Sequence, residues 1–162
     1  MSSAQKNLST YSDANLKNIG AYKIAIVVAE WNTEITESLY AGALDTLLKH
    51  GIAFGNIEKI MVPGSFELTL GAQWQAARQE IDAVICLGCL VQGDTKHFDF
   101  ICDAVAHGLT RVNLHFNKPV TFGVLTTNNM QQAFDRAGGK HGNKGDEAAI
   151  TALKMLSIKP NI

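Results

Sequence analysis

The residues best placed for chemistry lie between Gly88 and Phe98. An apolar run, Ala83-Val84-Ile85-Cys86-Leu87, stops at Gly88. The polar stretch Gly93-Asp94-Thr95-Lys96-His97 then leads into a helical pattern marked by Phe98, Ile101, Val105 and Leu109. A strand, a glycine-bearing turn and a helix start bring unpartnered backbone N–H groups to the positive end of a helix dipole, where an anion can sit. His97 falls in the first helical turn, beside that anion position. Imidazole is the unperturbed side chain that exchanges its proton nearest neutral pH, so the combination points to phosphate chemistry with an acid or base at hand. The stretch from Gly88 to Thr95 is nearly a P-loop, but Asp94 stands where a lysine should reach the terminal phosphates. A carboxylate there repels a triphosphate. A single phosphate on backbone donors and a plain tight turn both fit the stretch, with about equal weight.

Three further segments carry candidate chemistry. Trp31-Asn32, in a turn after a strand, suits stacking on a planar ring with a hydrogen bond beside it, or a plain aromatic cap on the sheet. Pro63-Gly64-Ser65-Phe66-Glu67 places a hydroxyl, a ring and a carboxylate at a helix start, where the carboxylate also simply suits the dipole. Arg136 and Lys144 flank Gly138-Gly139-Lys140-His141-Gly142-Asn143, a glycine-rich break that can carry cations to an anion or leave them solvated. Asp94, His97, Asp99 and Asp103 do not share one helix face, so no metal site is expected. Cys86, Cys89 and Cys102 are too few for a disulfide framework. Cys86 and Cys89 form a CxxC, but inside and at the end of a strand, and they read as buried structural thiols.

The elements that must position these groups alternate. Strands are expected over 21–29, 57–62, 83–89 and 120–125. Helices are expected over about 35–48, 66–79, 98–114, 130–137 and 146–157, with Gly51 ending the first. Thr126, Thr127 and Asn128 are candidates to cap the fourth. This alternation implies right-handed crossovers, a four-stranded parallel sheet and helices on both faces. In such sheets ligands bind beyond the carboxyl ends of the strands, at the topological switch point. Residues 1–20, rich in Ser, Asn, Thr and Lys, read as a flexible arm before a single domain, 21–162. A net charge of −1 provides no basic footprint for nucleic acid and no polybasic membrane patch. No run is long enough to cross a bilayer and no signal peptide is evident, so the expected location is the cytoplasm.

Taken together, the segments resemble the lumazine synthase family, from Tyr22 onward. The matching pieces are Trp31-Asn32 with Ile35-Thr36, Pro63 to Glu67, Gly93 to Phe98, Phe122-Gly123-Val124-Leu125-Thr126, Gln132-Ala133 with Arg136-Ala137, and Asn143-Lys144-Gly145. Each piece alone is weak, but all of them in order at the family's spacing are specific. The resemblance implies a flavodoxin-like three-layer α/β sandwich. It also implies condensation of 5-amino-6-(D-ribitylamino)uracil with 3,4-dihydroxy-2-butanone 4-phosphate in riboflavin biosynthesis. A Schiff base forms, phosphate is eliminated, and the ring closes with loss of water, with no cofactor and no metal.

On the same resemblance, Trp31 stacks on the pyrimidine ring, with Asn32 beside it. Ser65, Phe66 and Glu67 bind the ribityl chain and ring, and Cys89, Leu90 and Val91 hold the ring through backbone groups. Asp94 and Thr95 form the phosphate turn, and His97 transfers protons. Phe122, Arg136 and Lys144 come from the adjacent subunit, with Arg136 on the phosphate. The implied assembly is a pentamer or a sixty-subunit capsid with active sites between subunits. Two departures stand out: Gln92 replaces the family's common Arg or Lys, and Trp31 an often-found Phe. A non-catalytic flavin- or lumazine-binding protein and a shell-forming protein are the alternative readings.

Overall fold

The expected apolar runs form the sheet. The computed structural model describes Leu16 and residues 19–159. The element order is β1 (Ile24–Ala29), α1 (Thr33–Lys49), β2 (Ile57–Val62), α2 (Leu68–Ala76), β3 (Ala83–Val91) and α3 (His97–Phe116). It continues with β4 (Val120–Thr127), α4 (Met130–Phe134), β5 (Ala137–Gly139), β6 (Gly142–Asn143) and α5 (Lys144–Ile158). Most of the anticipated arm, 1–20, lies outside the described residues. Of its described members, Ile19 is buried in a short 3-10 turn, Ile19–Ala21, and Leu16 packs against the core.

Strands β2, β1, β3 and β4 lie in that order, every pair parallel. All six residues of β1 are buried, because it is a central strand covered on both faces. Side chains alternate across a strand, and this sorts the core into two layers. Ile24, Ile26, Val28, Ile85 and Leu87 face α1 and α5, while Ala25, Val27, Ala29, Val84 and Cys86 face α2 and α3. The result is the flavodoxin-like three-layer α/β arrangement.

The ends of elements differ from the sequence reading where tertiary contacts decide them. Strands β3 and β4 run on together to Val91 and Thr127, because their ladder continues through Leu90–Thr126 and Val91–Thr127. Leu90 and Val91 are therefore strand and not loop. Helix α2 is shorter than expected at both ends. The cap of α4 is Asn129, whose side chain accepts from Gln132 N at 3.0 Å, and not Thr126 to Asn128. Gly51, at φ +91°, takes the left-handed conformation that ends α1.

The glycine-rich break is a built hairpin, β5–β6, docked on α1. Asn143 donates to Ser38 O at 2.9 Å and accepts from Gly145 N at 2.8 Å, and the Ser38 hydroxyl donates to Ala137 O. A Cβ at Gly145 would lie 1.9 Å from Leu39 O, so only glycine allows α5 to start this close to α1.

Candidate active site

The chain leaves β1 toward β2 and later returns on the other side of β1 as β3. The turns after β1 and β3 diverge, and a crevice opens between them. A cleft of about 650 Å³ occupies this position. Its walls come from three turns and a strand end: Trp31 and Asn32 after β1, Pro63 to Glu67 after β2, Cys89 to Val91 at the end of β3, and Gly93, Thr95 and His97 at the start of α3. Phe98 and Ile101 close one side. In the sequence these two open the helical pattern of α3, Phe98 also closing the Gly93-to-Phe98 piece; their i, i+3 spacing puts both on one side of its first turn.

Each wall has a distinct character. Trp31 is 72% exposed and Phe66 55% exposed, so two ring faces stand at the rim with little packed against them. The turn that carries Trp31 is tied by its backbone, Glu30 N to Val62 O at 2.8 Å and Trp31 N to Pro63 O at 3.2 Å. Asn32 has left-handed φ 59° and ψ 47°, and its Nδ2 donates to Cys89 O at 3.0 Å. The Ser65 hydroxyl is buried and, among the described residues, finds no hydrogen-bond partner, although it lines the cleft. A buried hydroxyl of that kind is a place for a ligand's polar group.

Burial pushes the Cys89 thiol up to about 11, and pushes that of Cys86 higher still. Neither supplies a thiolate nucleophile near neutral pH. His97 is the first residue of α3 and stands exposed, with its N–H 3.4 Å from Thr95 Oγ1. Thr95 and His97 are thus side by side at a helix start. Asp94 is exposed in the same turn but outside the cleft lining, and Lys96 leans to Asp99 at 3.7 Å. Among the described residues no three His, Cys, Asp or Glu side chains cluster as metal ligands would.

Three candidates stand elsewhere in the chain. Phe122 lies in mid-β4, opposite Cys86 in the ladder and 45% exposed. Arg136 precedes β5 and donates to Gln132 O at 3.1 Å. Lys144 Nζ is engaged by Glu147 Oε1 at 2.6 Å. None of the three lines the cleft of its own chain.

Fold and cleft define a class: a flavodoxin-like α/β protein with a ligand crevice at the switch point, rimmed by aromatic rings and flanked by a helix-start turn with a histidine. The family model of 6,7-dimethyl-8-ribityllumazine synthase matches residues 21–160. A Cytophaga hutchinsonii protein of that name is 68% identical, with 97% of this chain and 98% of the relative covered. Proteins of the same name from Parabacteroides distasonis and Porphyromonas gingivalis are 54% and 53% identical, each over 98% of this chain and 99% of the relative. The chain belongs to the 6,7-dimethyl-8-ribityllumazine synthase family.

Proposed function

We propose that this chain is a 6,7-dimethyl-8-ribityllumazine synthase, a transferase that joins 5-amino-6-(D-ribitylamino)uracil to 3,4-dihydroxy-2-butanone 4-phosphate and releases phosphate and water. The observation that carries this reading is the convergence of Trp31, Ser65, Glu67 and His97 on one cleft at the switch point, in a chain 68% identical to a relative of that name. In this reading Trp31 stacks on the pyrimidine, and Phe66 borders the ribityl chain and ring. Ser65 and Glu67 hold ribityl hydroxyls, and the backbone of Cys89, Leu90 and Val91 reads the ring edge. The Asp94–Thr95 turn and the α3 start seat the phosphate through backbone N–H groups. His97 moves protons between the amine, the ketone and the eliminated group.

Holding two small molecules in one geometry contributes about 7–11 kcal/mol to lowering the barrier. Proton transfer by His97 adds about 10²–10⁴-fold. Phosphate leaves once backbone donors and a guanidinium offset its charge.

The proposal includes a ring-shaped homo-oligomer, a pentamer or a capsid of pentamers, in the cytoplasm. Phe122, Arg136 and Lys144 stand off their own cleft, so a neighbour's copies complete it. Large apolar side chains on α2 and α3, Leu70, Trp74, Phe100 and Leu114, are exposed in the single chain. A surface of that kind marks an interaction face. Three free thiols fit a reducing compartment.

The test mixes both substrates with the purified protein and follows lumazine absorbance and phosphate release. Binding without phosphate release would leave a binding protein and overturn the reading. His97→Ala and Arg136→Ala chains, each nearly inactive, are then scrambled together. A head-to-tail ring pairs two intact faces at roughly a quarter of interfaces, so activity returns. Scrambled but dead mixtures would place Arg136 outside a shared site.

A further inference from the structure

The turn after β1 presents an exposed ring to the cleft, and what holds it there is unusual. Asn32 occupies the position before α1 where an Asn side chain ordinarily accepts a hydrogen bond from the first-turn N–H groups. Here it makes no such bond. Ile35 N, a donor such a cap would take, goes instead to the Asn32 backbone carbonyl at 2.9 Å, which also accepts the ordinary first helical bond from Thr36 N at 3.1 Å. The side chain is turned the other way and reaches Cys89 O, 57 positions along the chain, at 3.0 Å.

The sheet explains why that carbonyl is open. Pairing between β1 and β3 ends at Val28–Leu87, because β1 stops at Ala29 while β3 continues to Val91. The Asn32 amide supplies a further rung where the two strands part. The left-handed backbone at φ 59° aims it there, and asparagine is enriched in that conformation among non-glycine residues. On the opposite side, Glu30 N and Trp31 N bond to Val62 O, in the last residue of β2, and to Pro63 O just past it. The Trp31 turn is therefore clamped between the ends of β2 and β3, and the β3 half of the clamp is one side-chain bond.

We infer that Asn32 is a positioning residue: it holds Trp31 at the cleft rim through the Cys89 carbonyl and acts on substrate through Trp31. This rests on the reading that Trp31 stacks on the pyrimidine. It differs from a direct ligand role for Asn32, whose second Nδ2 N–H and Oδ1 could also reach a ligand; the KM effect in a Trp31→Ala chain separates the two roles.

The test uses the full-length assembled protein with Trp74→Phe as background, which leaves Trp31 as the only indole, since the chain has two tryptophans. Asn32→Gly keeps the left-handed turn and loses the bond. Asn32→Asp keeps the shape but sets a carboxylate against the carbonyl. Both should raise KM for 5-amino-6-(D-ribitylamino)uracil about 3- to 10-fold, the size of one lost hydrogen bond, with kcat nearly unchanged. Both should also lower the fluorescence anisotropy of Trp31 in the ligand-free protein.

In a Trp31→Ala chain, Asn32→Gly should add no further KM increase, because residues acting through one another are not additive. An additive KM effect would show that Asn32 touches substrate and would overturn the inference. Unchanged anisotropy would overturn it as well. If Trp31→Ala itself leaves KM unchanged, the stacking reading fails, and the anisotropy still reports separately whether Asn32 holds the ring. Should one Asn32 variant fail to fold, the other carries both readouts.

Discussion

Replacing Lys144 by methionine should lower stability by about 3 kcal/mol. Lys144 opens α5 and its Nζ lies 2.6 Å from Glu147 Oε1, with the two side chains 22% and 9% exposed. Removing one partner of a buried pair costs about 3–5 kcal/mol, because the other charge stays behind without compensation. Two features hold the cost to the lower end. The lysine keeps some contact with water. Glu147 also sits in the first turn of α5, where the helix dipole favours an anion by about 0.3–1 kcal/mol. A loss of that size in a domain this long lowers Tm by about 6–12 °C.

Adding Glu147→Leu to Lys144→Met removes the stranded charge. The double variant should recover most of the loss, with a coupling of about 2–3 kcal/mol. Urea unfolding at pH 7 measures this, with particle mass checked so that all variants share one oligomeric state. A single variant within about 0.5 kcal/mol of wild type, the usual range for a surface change, would refute the argument. Lys144 would then contribute little to the fold of its own chain, and its loss should appear only in KM, through the neighbouring cleft.

Thiol labelling and acid sensitivity test other parts of the structure. At pH 8, iodoacetamide should modify Cys102 first and Cys86 and Cys89 far more slowly, read by peptide mass spectrometry. With Cys89 pushed up to about 11, roughly one thiol in a thousand is ionised, and equal labelling of all three would contradict that burial. Hydrogen bonds from Lys140 and then Gln131 hold the Asp135 carboxyl below the ordinary aspartate range. The stability they contribute is complete above about pH 3.9 and disappears as pH falls through the lower folded value. Wild type should therefore exceed Lys140→Met in urea stability at pH 7, with the gap closing below about pH 4; a gap constant with pH would refute the assignment.

Much of the fold was legible because its cause is local. Ala-, Ile- and Val-rich runs such as Ile24–Ala29, short and β-branched, read as strands buried on both faces, and the stripe Ile35, Leu39, Ala43, Leu47 as a helix lying on them, and both form. Strand–helix alternation then leaves a parallel sheet as the solution. The turns at strand ends were visible as Trp31-Asn32, Gly64-Ser65 and Gly93-Asp94-Thr95, and all of these residues except Asp94 line the cleft. Element ends were less legible. Val91 and Thr127 remain strand because they pair with each other, which neither segment shows alone.

What residue order and composition determined, then, was which segments are apolar, how their periods run, and which reactive groups stand beside them. What only tertiary structure decided was who meets whom. The Gly138-to-Gly145 stretch looked like a loose cation-bearing loop, yet Asn143 and Ser38 pin it to α1 as a hairpin. Lys144 looked like a free cation and is held by Glu147. Asn32 stood out in the sequence as the neighbour of Trp31, and its amide also bridges to Cys89 O where β1 and β3 part. Period and propensity act over a few residues. A side chain's hydrogen-bond partner is chosen by packing, which brings together groups 57 positions apart that no local pattern relates.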